Sequence, residues 1–257
     1  MTAVRLNAQV SGPRDGAPLL LGGSLGTTLR MWDPQLAALA RSYRVTCFEH
    51  RGHGASPAPD GPYRIDDLGA DVLALMDRLE LERASYCGLS LGAMVGQWLA
   101  INAPDRVARL ILISTAAHLP PAEGWYERAA AVRQAGTPEV VADAVLARWF
   151  TPAYAAVSPV VVGEYRAMIS SVAAEAYAGC CEAIAVMDLR EGLARISAPT
   201  LVLAGAQDPA TPPERGRALA GAIPGARLEV LDPGAHLLSV ERADEVTRLI
   251  CDHMEAA

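Results

Sequence analysis

The chain has no lysine: all 22 of its basic residues are arginine. That absence removes a P-loop, whose lysine meets the phosphates, and equally a Schiff-base enzyme or a Ser-Lys dyad. Positive charge is in deficit overall, with 29 acidic residues and a formal net charge of -7. Affinity for nucleic acid is carried by basic surface against phosphate, so no nucleic-acid partner is expected. Apolar runs of membrane-spanning length are missing, and the opening MTAVRLNAQV lacks the basic and apolar regions of an export signal. A cytoplasmic protein with no membrane partner is the expectation. Cysteines are few. Cys47, Cys87, Cys180, Cys181 and Cys251 are odd in number, have no metal-ligand spacing, and read as buried free thiols of a reducing compartment. Low-complexity tracts, internal repeats and blocks of like charge are also lacking, which argues against disorder.

What is present is a globular balance, 51% hydrophobic and 20% charged over 257 residues. That length lies at the upper edge of one hydrophobic core and favours one domain carrying an insertion. Short β-type runs alternate with helical stretches through the first half, as in a mostly parallel sheet covered by helices on both faces. Strands are expected at Val4 to Val10, Pro18 to Gly22, Arg44 to Glu49, Ala84 to Cys87 and Arg109 to Ser114, with helices over Trp32 to Ser42 and Ile65 to Leu79. From Leu119 to Met187 the pattern is helical only, broken by Pro120-Pro121, Thr151-Pro152 and Ser158-Pro159. Strands return at Thr200 to Ala204 and Arg227 to Leu231, before a last amphipathic helix from Ala243 to Met254. The expected organisation is a core of residues 1–118 with 188–257, interrupted by an all-helical cap over 119–187.

Gly88-Leu89-Ser90-Leu91-Gly92 lies between an apolar strand and a helix. A Gly-x-Ser-x-Gly sequence there forms a sharp turn that exposes the serine, and glycine two residues to either side removes side chains that would collide. The five-residue pattern alone also occurs by chance in turns; its context between strand and helix favours a nucleophile. A serine hydroxyl needs a base, and the base needs a carboxylate to fix its tautomer. In this turn type the chain order is Ser, acid, His. His236 follows the last strand and Asp208 the penultimate one, which gives Ser90, Asp208 and His236. His50, His53 and His253 read as surface or structural residues, His118 is a further candidate to face the pocket, and Asp188 and Asp232 are rival carboxylates. The oxyanion needs two donors. The Leu91 amide is one, and the loop Gly22-Gly23-Ser24-Leu25-Gly26 supplies the other, with Leu25 preferred and Ser24 its alternative.

These residues resemble the α/β-hydrolase superfamily and, within it, the 3-oxoadipate enol-lactonases of aromatic degradation. The likeness runs along nearly the whole chain. It is carried by Ser24-Leu25-Gly26-Thr27 through Met31-Trp32-Asp33-Pro34-Gln35, by Arg51-Gly52-His53-Gly54-Ala55-Ser56, and by the serine turn. Further on it is carried by Arg148-Trp149-Phe150-Thr151-Pro152, Met187-Asp188-Leu189-Arg190 and Asp208-Pro209-Ala210-Thr211-Pro212-Pro213. Glu49, where relatives carry aspartate, and Gly22-Gly23, where they carry a more polar pair, are departures.

The resemblance implies an α/β-hydrolase fold and hydrolysis of 3-oxoadipate enol-lactone to 3-oxoadipate in the β-ketoadipate pathway, with no metal or organic cofactor and as a monomer or small homo-oligomer. Such a substrate carries a carboxylate, and an acidic protein must supply a local cation for it. Arg133 is the first candidate, then Arg128 or Arg148, with Trp125 and Trp149 as apolar walls. Cap arginines are more often solvated and tryptophans at helical spacing more often core. Competing readings are another carboxylesterase or lactonase of secondary metabolism, with perhydrolysis as a side reaction, and a receptor that binds without turnover. A dehalogenase is disfavoured, because its nucleophile would be an aspartate at position 90.

Overall fold

Seven strands build one sheet in a computed structural model that describes residues 2–256. They are β1 (Ala8–Ser11), β2 (Ala17–Gly22), β3 (Tyr43–Phe48), β4 (Ala84–Leu89), β5 (Val107–Ile113), β6 (Thr200–Gly205) and β7 (Arg227–Leu231), in the order β1-β3-β2-β4-β5-β6-β7. Only β1 is antiparallel to its neighbour. The central strands read as unbroken apolar runs because helices cover both faces: every residue of β4 and β6 is buried.

Helices α1 (Asp33–Leu39), α2 (Ile65–Arg78) and α3 (Leu91–Asn102) link the strands of the first half. The apolar stripe of α2, Ile65, Leu68, Val72, Leu75 and Met76, faces the core, and its start is fixed by the Arg64 amide donating to Asp67 Oδ2 at 2.8 Å. Between β5 and β6 come five helices, α4 (Ala122–Ala135), α5 (Glu139–Trp149), α6 (Pro152–Val157), α7 (Pro159–Ser171) and α8 (Ala174–Val186). After β6 follow α9 (Pro213–Ala222), α10 (Leu238–Glu241) and α11 (Ala243–Glu255). No single helix among the described residues is long and apolar enough to cross a membrane.

The first strand is shorter than the sequence predicts. Residues 4–7 are held by side chains rather than by a strand: the Val4 amide donates to Asp71 Oδ1 at 2.7 Å and the Asn7 amide to Ser56 Oγ at 2.9 Å. The first helix is shorter as well, because Leu29–Trp32 winds as a 3-10 turn ahead of it and the chain turns out of it at Ala40. Met1 and Ala257, the outermost positions of the expected core, lie outside the described residues.

Candidate active site

The strand order reverses between β2 and β4, and in such a sheet ligands collect in the crevice beyond the carboxyl ends of the strands at that point. Register brings the chemistry there. Gly22 pairs with Gly88, Leu89 with Ile113, Ile113 with Leu203, and Gly205 with Leu231. The loops after β2, β4, β6 and β7 therefore leave the same edge side by side. They carry Leu25, Ser90, Asp208 and His236.

Ser90 takes φ 54° and ψ -112°, a conformation that L side chains rarely adopt. Neighbouring backbone holds it there: its amide donates to the Ile113 carbonyl at 2.9 Å, and its carbonyl accepts from the Met94 amide at 2.9 Å and from Thr115 Oγ1 at 3.1 Å. The flanking glycines are required by contact. A Cβ on Gly88 would meet the Gly92 carbonyl carbon at 2.4 Å, and one on Gly92 would meet the Gly22 oxygen at 2.2 Å. Strain at a half-buried serine between strand and helix is what a nucleophile turn requires.

His236 is buried, and its Nδ1 donates to Asp208 Oδ2 at 2.7 Å. The other carboxylate oxygen, Oδ1, accepts from the amides of Ala210 and Thr211 at 2.8 and 3.0 Å, while Thr211 Oγ1 donates to Oδ2 at 2.7 Å. Burial alone would raise the Asp208 pKa. The charge and hydrogen bond of His236, with the bonds from Thr211, outweigh it and hold the carboxyl below its ordinary value. Asp208 is thus an anion fixed against Nδ1, which leaves Nε2 as the nitrogen free to take a proton. Ser90 and His236 line one cavity of about 440 Å³, together with Ser24 and Leu25.

The amides around this cavity divide into used and unused. Those of Gly26, Thr27 and Gly92 are taken, by His53 Nε2 at 3.0 Å, the Ser24 carbonyl at 3.1 Å and the Gly23 carbonyl at 3.0 Å. Among the described residues no protein acceptor takes the amides of Leu25 or Leu91. Unclaimed donors at the start of α3 and in the facing loop suit a developing negative charge.

Residues 17–148 and 164–243 match the family model for the alpha/beta hydrolase fold. The chain belongs to the alpha/beta hydrolase family. It is 45% identical over 240 residues to 3-oxoadipate enol-lactonase 2 of Acinetobacter baylyi, covering 93% of this chain and 89% of that one. Among solved structures it superposes on the enol-lactonase of Burkholderia xenovorans with a TM-score of 0.95 at 45% identity, covering 98% of this chain and 96% of that one. A hydrolase from Pseudomonas aeruginosa gives the same score and identity over 98% and 95% of the two chains. The protein is therefore an enzyme, an ester-hydrolysing member of that family.

In this hydrolase the far wall of the cavity comes from the inserted helices and includes Trp125, Arg128, Val145, Arg148, Trp149 and Tyr177. Arg128 stacks over the Trp125 ring at 4.8 Å. Among the described residues neither Arg128 nor Arg148 has a carboxylate within ion-pair distance. Burial and then the charge of Arg128 lower the Arg148 pKa, partly countered by Tyr177. Two like charges thus face one pocket without an anion between them.

Arg133, the first candidate for this role, is placed elsewhere. Its guanidinium is bound to Glu175 at 2.7 Å and to Glu182 at 2.5 Å, both on α8, and it does not line the cavity. Five residues after Arg128, it lies about 140° further round α4 at about 100° per residue. His118 does not face the cavity either; it bridges to Asp188 and lines a separate space with Arg190 and Arg215. Asp188 is bound by Arg190 at 2.5 Å, and Asp232 is exposed beside the turn.

Sequence reasoning missed Thr211, which clamps Asp208, and Tyr177, buried in the cavity wall. It also missed Glu241, whose Oε2 accepts from the Ala235 amide at 3.0 Å and whose carboxylate also binds the Thr151 hydroxyl. Glu241 therefore joins the turn before His236 to the segment after α5. The Leu237 amide adds a second tie, donating to the Trp149 carbonyl at 2.9 Å. A hydroxyl three residues after the acid was the only available signal for any of these.

Proposed function

We propose that this enzyme opens the ring of an enol-lactone bearing a carboxylate, 3-oxoadipate enol-lactone first among candidates, through an acyl-enzyme on Ser90. Ser90 Oγ adds to the lactone carbonyl as His236 Nε2 takes its proton, while Asp208 steadies the imidazolium through Nδ1. The oxyanion lies between the amides of Leu91 and Leu25. Collapse breaks the ring C–O bond, the leaving enolate oxygen takes the proton from His236, and the enol relaxes to the ketone. Water activated by His236 then cleaves the acyl-enzyme and restores Ser90. Residues 119–187 act as the cap over this chemistry, and 1–118 with 188–257 as the core beneath it.

The observation that carries the substrate class is the pair of guanidiniums, Arg128 and Arg148, facing the serine cavity without an anionic partner in a protein of net charge -7. A substrate carboxylate between them relieves their repulsion and gains charge-assisted hydrogen bonds. The 45% identity to an enol-lactonase supports the same reading. The test follows loss of the enol-lactone ultraviolet chromophore with purified enzyme, beside p-nitrophenyl esters of neutral acids. Turnover of the lactone that disappears in Ser90→Ala is expected. Fast cleavage of the neutral esters with none of the lactone refutes the substrate assignment.

A further inference from the structure

His50 and His53 take no part in the relay proposed above, yet both are buried directly behind the loop that carries Leu25. The Gly26 amide donates to His53 Nε2 at 3.0 Å. That nitrogen must be bare, so the ring proton sits on Nδ1, where it is donated to the Arg51 carbonyl at 3.1 Å. His50 lies edge-on to His53, with ring centroids 6.1 Å apart, and its Nε2 donates to the Gly23 carbonyl at 3.1 Å. The same carbonyl accepts from the Gly92 amide at 3.0 Å, in the first turn of α3. Both ends of Gly23–Gly26 are therefore held, one end by His50 and α3 and the other by His53. Behind them Arg51 grips Asp71 of α2 with two bonds of 2.7 and 2.8 Å, both side chains fully buried.

The surroundings of these rings favour their neutral forms. Burial is the main cause, lowering His53 to about 4 and His50 to about 3 from the ordinary 6.5. The Arg51 carbonyl and the Glu49 carboxylate pull His53 part of the way back, while His53 and the Arg51 charge press His50 further down against the pull of the Gly23 carbonyl. A protonated His53 would turn a donor toward the Gly26 amide and break the bond.

We propose that His53 is a positioning residue for acyl transfer: as the neutral tautomer protonated at Nδ1, it fixes the Leu25–Gly26 peptide and so holds the Leu25 amide at oxyanion distance. It touches no substrate. An oxyanion donor works only within a few tenths of an ångström of its place, so losing the acceptor behind it acts as losing the donor. This inference rests on the Ser90 acyl-enzyme reading.

The test pairs His53→Leu, which removes the acceptor, with His53→Gln, whose Oε1 reaches the place of Nε2. In His53→Leu, kcat falls by about 10² to 10³, KM stays within about threefold, and affinity for an alkyl boronic acid that bonds to Ser90 falls in step with kcat. Affinity for adipate, a ground-state dicarboxylate, stays the same, and His53→Gln recovers about tenfold or more in kcat. Nitrogen NMR of the unmodified enzyme at pH 7 gives a reading that no folding defect can disturb: Nδ1 of His53 protonated and Nε2 bare. A ring protonated at Nε2, a His53→Leu enzyme with normal kcat, or adipate affinity that falls along with kcat overturns the proposal. Failure of the underlying reading looks different. There, Ser90→Ala keeps its activity and the boronic acid does not inhibit the unmodified enzyme, whatever the state of His53.

Discussion

Acidifying the solution from pH 7 to pH 5 is expected to weaken this fold through two residues that face no solvent. His50 and His53 titrate near 6.5 in an unfolded chain and only at about 3 and about 4 in the folded one. Below pH 6.5 the unfolded chain therefore binds protons that the folded chain refuses. Stability rises with pH wherever the unfolded state holds more protons, so this contribution is complete above about pH 7 and declines as the pH falls through 6.5 toward 4. At pH 5 each ring costs about 2 kcal/mol, together about 4 kcal/mol, from about 1.4 kcal/mol per pKa unit. That is a large part of the 5–15 kcal/mol typical of a domain. His253, also lowered by burial, acts with the same sign. Asp208 acts in a lower window: its folded pKa is depressed, so its contribution is present above the ordinary carboxylate value and is lost as the pH falls through the folded one. Urea unfolding at fixed ionic strength, stepped from pH 7.5 to 5, reads the slope directly. Replacing both rings, as in His50→Gln with His53→Gln, should flatten it. Stability constant within about 1 kcal/mol between pH 7 and 5 refutes the reasoning, as does an undiminished slope in the double variant.

Two side chains carry the remaining predictions. Arg148→Met should raise KM for a carboxylate-bearing lactone by about 10- to 150-fold, the worth of a charge-assisted hydrogen bond of about 1.5–3 kcal/mol, and leave neutral p-nitrophenyl esters nearly unaffected; an equal loss on both substrates counts against the anion role. Glu241→Ala strips the acceptor from Ala235 and Thr151, and should lower unfolding stability by about 1–3 kcal/mol while reducing kcat through the displaced His236 turn. Calorimetry beside steady-state kinetics checks it, and a variant unchanged in both respects contradicts the tie.

The serine turn was legible because its geometry restricts sequence: a strained residue between strand and helix leaves room only for glycine two positions away, and Gly88 and Gly92 occupy those positions. The alternation of strands and helices was legible for a similar reason, since buried parallel strands read as apolar runs. Arg133 illustrates the opposite case. Which face of α4 looks into the cavity depends on how the helix is turned against α8, and three arginines or tryptophans on neighbouring turns look equivalent until that rotation is known. His53 was passed over because its partner, the Gly26 amide, lies 27 positions earlier, and only the packed sheet brings the two together. Burial of a histidine pair beneath a glycine-containing turn leaves no local pattern.

The helical segment between β5 and β6 begins and ends side by side, since His118 and Asp188, which flank it, pair in an antiparallel bridge and the Leu189 amide donates to the Ala117 carbonyl at 2.9 Å. Such a segment can grow, shrink or be exchanged at small entropic cost to the scaffold, because its two ends already meet. Under the proposed mechanism recognition and bond cleavage can change separately: a new roof would alter which acyl group is accepted and leave the reacting groups beneath it in place. The exception is the seam where the roof touches the floor, the Leu237 amide on the Trp149 carbonyl and Thr151 on Glu241. A transplanted roof that fails to reproduce those two contacts would arrive with the right shape above a histidine no longer in station.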